Sequence, residues 1–195
     1  MLDQSKSLSQ ISRAEKRGET ATVVELAIKH LHRFPDDWVA YIWYAMAKTD
    51  LAQYGHAEKA IRRSISYSPK KTLRIAYAEM GRLFEKKGDL KKASVWYERV
   101  VQVAPKRAES HIYAGHAAFK LGLLGKAEAH YRRGIRCKEG CVEEAYFNLG
   151  CVLLANRRYR DAIKYYRKAL SIDPKYTIAK LRLKDAEQAL CMTDN

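Results

Sequence analysis

Residues Ala145–Pro174 read AYFNLGCVLLANRRYRDAIKYYRKALSIDP. Two stretches with apolar residues at helical spacing flank a polar break at Asn156 to Arg158. Recurrence at i, i+3, i+4 and i+7 predicts an amphipathic helix on each side of that break. The first stretch carries Gly150 in its interior, and Pro174 follows the second. Glycine inside a helix costs about 1 kcal/mol against alanine, so a close contact must offset it. Proline cannot continue a helix. The stretch therefore predicts two helices that cross tightly, followed by a turn.

The pattern recurs upstream. Stepping back 31 residues from Pro174, Pro105 and Pro69 gives segments that begin at Glu143, Arg74 and Trp38. A fourth segment begins at Ala108 and carries Glu139 where the proline would fall. A period near 34 residues is the mark of a repeat array. The fourth position of the units holds Tyr41, Tyr77, His111 and Tyr146, and the eighth holds Ala45, Gly81, Gly115 and Gly150. The twentieth holds Ala57, Ala93, Ala127 and Ala162, and the twenty-fourth Ile61, Tyr97, Tyr131 and Tyr166. Small residues at the eighth and twentieth positions let the two helices approach, and the aromatic residues fill the space around the crossing. In the segment EKKGDLKKA, Gly88 suits a left-handed helix end and Asp89 suits the N-cap of the next helix.

These residues resemble the tetratricopeptide repeat (TPR) family. The last unit carries Tyr146, Leu149, Gly150, Leu153, Ala162, Tyr166, Ala169 and Pro174 in the family's slots. The stretch GRLFEKKGDLKKASVWYERVVQVAP matches equally well. Lys48 and Ala118 depart at a slot that is usually aromatic, and Val100 at a small one. The resemblance implies an all-α fold, a right-handed superhelix or α-α solenoid of about five helix pairs with a C-terminal capping helix. Its units run over 38–73, 74–107, 108–142 and 143–176. Residues 4–37 form a degenerate unit, with Gly18 and Pro35 at the right offsets. There Ile11 and Val23 replace the small pair, and His30 replaces the small residue at position twenty-seven. Residues 177–191 are the capping helix, expected to cover the last repeat with Ile178, Leu181 and Ala186 and to leave Lys180, Lys184 and Glu187 in water.

A helix with one buried face should be polar opposite. Yet WVAYIWYAMA, Trp38 to Ala47, is apolar nearly all round. Val39, Ile42, Trp43 and Met46 share one face that the helix pair itself does not need. In the TPR family this face lines a concave groove. The resemblance extends the groove to Ile75, Glu79 and Arg82, then Ile112, Tyr113 and His116, then Phe147 and Asn148. An exposed apolar strip marks an interaction surface, and a groove binding a peptide or protein partner is the expectation. The alternative is that stacking of neighbouring helices buries Trp43 and Phe147. Some family members clamp acidic chaperone C-termini. Of the matching positions here, Ile112, His116, Asn148, Ile178 and Arg182, only Asn148 and Arg182 fit, which argues against that clamp.

The chain has 195 residues, 47% apolar and 30% charged, with a net charge of +15. The first 37 residues are neutral, and every later unit is positive. The doublets Arg62-Arg63, Lys86-Lys87, Lys91-Lys92, Arg132-Arg133 and Arg157-Arg158 fall on inter-helix turns or the outer face of second helices. A solvated convex face is one reading of them. The other is a surface for nucleic acid or an acidic membrane. The aromatic residues fill core or groove slots, so they are not expected to interleave with these charges as a stacking platform would.

No signal peptide or transmembrane run is visible, and a soluble, cytoplasmic protein is expected. Cys137, Cys141, Cys151 and Cys191 lack the spacing of a metal site, so reduced, packed cysteines are expected. No phosphate loop, zinc-protease or nucleophile-elbow motif occurs, so no enzyme activity, cofactor or metal is expected. His111 occupies an aromatic core slot and is read as structural, while His116 faces the groove and can meet a partner's carboxylate.

Overall fold

A computed structural model describes residues 2–193. The described residues form eleven α-helices and one short 3-10 helix at Lys70–Thr72, and the chain divides into two compact units between Val103 and Ala104. The first unit holds α1 (Leu2–Lys16), α2 (Thr20–Arg33), α3 (Trp38–Asp50), α4 (Tyr54–Tyr67), α5 (Leu73–Lys86) and α6 (Leu90–Val103). The second holds α7 (Ala108–Lys120), α8 (Leu124–Gly134), α9 (Val142–Ala155), α10 (Tyr159–Ile172) and α11 (Thr177–Thr193). The degenerate N-terminal segment is thus also a helix hairpin.

One device ends the first helix of every pair. The backbone N–H of Glu19, Gln53, Asp89, Leu123 and Arg158 donates to the carbonyl five residues back, over 2.8–3.0 Å. That bond requires a left-handed residue just before the donor. Gly18, Gly88 and Gly122 supply it with φ of 72°, 80° and 74°, whereas Ala52 and Arg157 hold φ of 56° and 57°. A side chain in this region costs about 1–2 kcal/mol, of which glycine's larger unfolded-state entropy returns a part. Ala52→Gly and Arg157→Gly are therefore each expected to stabilise the protein by roughly 0.5–1 kcal/mol. Thermal melting reads this out, and a lower melting point for both would contradict it. Asp89 caps α6 as expected, its Oδ1 accepting from the Lys92 N–H at 3.0 Å.

The contact that makes glycine necessary at position eight is with the aromatic ring of position twenty-four. A Cβ at Gly150 would lie 2.6 Å from a Tyr166 ring carbon, and Gly115 and Gly81 meet Tyr131 and Tyr97 in the same way. Where the second helix carries the smaller Ile61, the first carries Ala45. In the N-terminal hairpin the volumes are reversed, with buried Ile11 on α1 and buried Ala27 on α2. The bulky residue thus sits on either helix of a pair, opposite a small one.

A buried polar network ties α1 and α2 to the start of α3. Asp37 Oδ1 accepts from the backbone N–H of Val39 and Ala40 at 2.9 and 3.3 Å, which N-caps α3. Its Oδ2 accepts from Gln4 Nε2 and His30 Nε2, each at 2.9 Å, and His30 Nδ1 lies 2.7 Å from Ser7 Oγ. Burial by itself raises the Asp37 carboxyl, but these hydrogen bonds together hold it below its usual range. His30, which breaks the small-residue pattern, is thus the centre of a cap.

In the second unit α8 stops at Gly134, earlier than its counterparts, and residues 135–141 run back toward α7. The Ala108 N–H donates to the Glu139 carbonyl at 2.9 Å, and Arg107 pairs with the Glu139 carboxylate at 3.1 Å. The core of this unit gathers Tyr131, Leu149, Val152, Leu153, Ala162, Ile163, Tyr166 and Ala186. His111 is buried with Nε2 3.0 Å from the Pro105 carbonyl, the same reach that Tyr41 makes to Pro35 at 3.1 Å.

Two expectations need correction. Ile178 and Leu181 are 56% and 58% exposed. The buried face of α11 is Ala179, Leu183, Ala186 and Leu190, a second helical stripe rotated from the one expected. Of the cysteines, Cys151 accepts from the Tyr166 hydroxyl at 3.5 Å and Cys137 packs beside Ala108 and Ile112, but Cys141 and Cys191 are exposed.

Candidate functional site

The first helices of successive pairs pack side by side within each unit, α3 on α5 and α7 on α9. Their shared faces carry the residues expected to bind a partner. In the first unit, Val39, Trp43, Met46 and Ile75 are half-buried, whereas Ile42 is buried and faces no solvent. Trp43 packs against the Ile11, Val23 and Ala27 cluster, so the N-terminal hairpin takes up much of its surface. With Met46 and Asp50 it also lines a recess of about 90 Å³. Beside it, Arg82 donates to Glu79 at 2.8 Å and reaches Asp50 at 3.5 Å. Burial pushes the Glu79 carboxyl up, Arg82 opposes the shift, and Asp50 adds to it. Asp50 was not expected here, although it sits one helical turn beyond Met46.

In the second unit, Ile112 is 1% exposed and packs with Ala108 and Ala145. Tyr113 is exposed, and His116 and Phe147 are half-buried. The His116 ring meets Tyr131 edge-on at 5.9 Å. Phe147 lies between Tyr166 and Tyr176, with ring centroids 5.8 and 5.0 Å away. Tyr176, just ahead of α11, is a member of this face that sequence reading missed. Burial raises the Glu144 carboxyl, His116 opposes the shift, Glu143 and Glu109 add to it, and a hydrogen bond from the Asn148 amide lowers it. Asn148 itself is buried. The face therefore combines aromatic surface with the Glu144 carboxyl, the His116 imidazole and the Asn148 amide.

One member of several basic doublets meets a carboxylate. Arg62 pairs with Glu58 at 2.8 Å, Lys92 with Asp89 at 2.9 Å, Arg132 with Glu128 at 2.7 Å and Arg158 with Asp161 at 2.6 Å. Contrary to expectation, aromatic rings do meet members of the doublets: Arg132 lies 5.9 Å from the Tyr165 ring centre, and Lys87 and Lys92 lie 5.2 and 5.5 Å from that of Phe84.

The tetratricopeptide repeat family matches this chain at residues 39–71, 75–107 and 143–176. The chain belongs to that family. A DnaJ homolog subfamily C member 7 homolog of Schizosaccharomyces pombe is 30% identical over 129 residues, 55% of this chain and 27% of that protein. The chain therefore spans about a quarter of that relative's length. A thermophilic TPR protein of Thermus thermophilus superposes with TM-score 0.68 at 23% identity, over 95% of this chain and 99% of its own. The C-terminal part of a TPR repeat-containing protein of Cytophaga hutchinsonii gives 0.72 at 21% identity, over 94% and 71%. These likenesses show the fold. TPR repeats are protein–protein interaction modules, and the family supports that general role for this chain. Among the described residues no helix is long and apolar enough to cross a membrane.

Proposed function

We propose that the chain is an adaptor or assembly factor whose first-helix faces hold an extended peptide segment of a protein partner. The observation that carries this reading is the row of side chains left partly in solvent on the second unit's first-helix face, exposed Tyr113 with half-buried His116 and Phe147. Exposed apolar surface of this kind marks an interaction site. Tyr113 and Phe147 offer aromatic surface to the peptide's side chains, and His116, Glu144 and Asn148 offer polar contacts. In the first unit Val39, Trp43, Met46, Ile75, Glu79 and Arg82 present a comparable face, with Ile42 and Ile112 acting as buried support. The competing use of the outer face for RNA or an acidic surface loses part of that face's charge to the carboxylates paired with Arg62, Lys92, Arg132 and Arg158.

A peptide selected on the whole chain from a random library tests the reading. Asn148→Ala and Phe147→Ala are each expected to weaken that peptide about tenfold or more, equivalent to about 1.4 kcal/mol, with helicity retained. Arg132→Glu with Arg133→Glu is expected to change affinity less than threefold. If the outer pair abolishes binding and the two face variants do not, the proposal fails.

A further inference from the structure

A second, separate pocket lies among α2, α3 and α4, with a volume of about 320 Å³. Ile28 and Leu31 from α2, Tyr41 and Tyr44 from α3, and Ala60 from α4 make its apolar floor and walls. Its remaining lining residues are His32, His56, Lys59 and Arg63, and no carboxylate borders it. His56, Lys59 and Arg63 share one stripe of α4 by their spacing of three and four. The charges at this mouth are uncompensated. Lys59 has no ion-pair partner among the described residues. Arg63 is held by an uncharged group, donating to the Tyr41 hydroxyl at 3.3 Å with its guanidinium 6.0 Å from that ring's centre. The nearby Glu58 is already engaged by Arg62 at 2.8 Å and Lys87 at 3.9 Å. Elsewhere on the outer helices Arg132 and Arg158 each meet a carboxylate.

We propose that this pocket is a binding site for an acidic peptide, taking one bulky apolar side chain on its floor and the flanking carboxylates at Lys59 and Arg63. Pockets of this size commonly pair an apolar lining with a few polar groups that fix orientation. The positive charge is confined to one stripe at the mouth, while the interior is aliphatic and aromatic. A polyanion tracking phosphates needs an extended basic surface instead. A peptide that brings both a large apolar side chain and neighbouring carboxylates uses every wall of the site. The site is distinct from the first-helix faces, so its occupancy does not depend on the function proposed above.

Fluorescence anisotropy on the whole chain tests this, with a labelled peptide carrying one phenylalanine between two pairs of glutamates. Saturable binding that weakens with salt is expected. Replacing the phenylalanine with serine should weaken it at least tenfold, and so should Lys59→Glu with Arg63→Glu. If reversing Arg63 frees Tyr41 and lowers the melting point, His56→Glu with Lys59→Glu leaves Arg63 in place and should give at least a fivefold loss. Phe147→Ala should leave this affinity unchanged, which separates the pocket from the first-helix face. Equal binding of the serine peptide, or indifference to both charge reversals, overturns the proposal. So does displacement of the peptide by single-stranded RNA or by octanoate at lower concentration than by unlabelled peptide, the first assigning the surface to a polyanion and the second to a small carboxylate.

Discussion

Replacing Asp37 with alanine is expected to destabilise the first unit by about 2–4 kcal/mol, the loss of a helix cap together with a buried donor left without its acceptor. The carboxylate accepts four hydrogen bonds, from Gln4, His30, Val39 and Ala40. Loss of the helix cap alone accounts for about 1 kcal/mol. The remainder arises because His30, whose side chain is fully buried, would keep a ring N–H with nothing to receive it. Asp37→Asn keeps an acceptor for the cap and should cost less. The charge also sets a pH dependence. A carboxyl held below its usual range stabilises the fold above the unfolded-state value, near pH 4, and loses that contribution as pH falls through its depressed value. The stability gap between wild type and Asp37→Ala should therefore be full at neutral pH and narrow below about pH 4. Urea unfolding across that range reads both effects. A neutral-pH difference below about 1 kcal/mol would mean that the network contributes no more than a surface cap.

Gly150→Ala is expected to cost about 1–3 kcal/mol despite alanine's better helix propensity. The added methyl would lie 2.6 Å from the Tyr166 ring, which is buried with nowhere to retreat. Tyr166→Ile alone should also destabilise, because it leaves a void over the glycine. Combined, the two changes reproduce the Ala45 and Ile61 arrangement that α3 and α4 already use. The double variant should therefore be more stable than the sum of the single effects predicts, with a coupling of roughly 0.5–3 kcal/mol. Additive losses would show that glycine at this position answers to something other than the ring.

Much of this was legible because a repeat prints its packing at constant spacing. Gly150 with Tyr166, the left-handed Gly88 and the prolines between pairs follow from residues within one hairpin. The readings that failed depend on what lies outside it. Ile42 and Ile112 looked like free apolar surface because one helix's pattern does not record how a neighbouring pair covers it. On α11, Ile178 and Leu181 outweighed Ala179 in apparent hydrophobicity, yet it is the small Ala179, with the expected Ala186, that is buried, and Ala186 packs in the cluster with Tyr166. The His30 and Asp37 network escaped notice because its bonds link residues up to 33 positions apart, in the one hairpin whose repeat pattern is degraded.

The most direct test of the binding role is an amide NMR titration of the whole chain with the library-selected peptide. The proposed function predicts shifts concentrated on α7 and α9, at Tyr113, His116, Phe147 and Asn148. Shifts confined to Arg132, Arg133 and Lys168 on the second helices would contradict it.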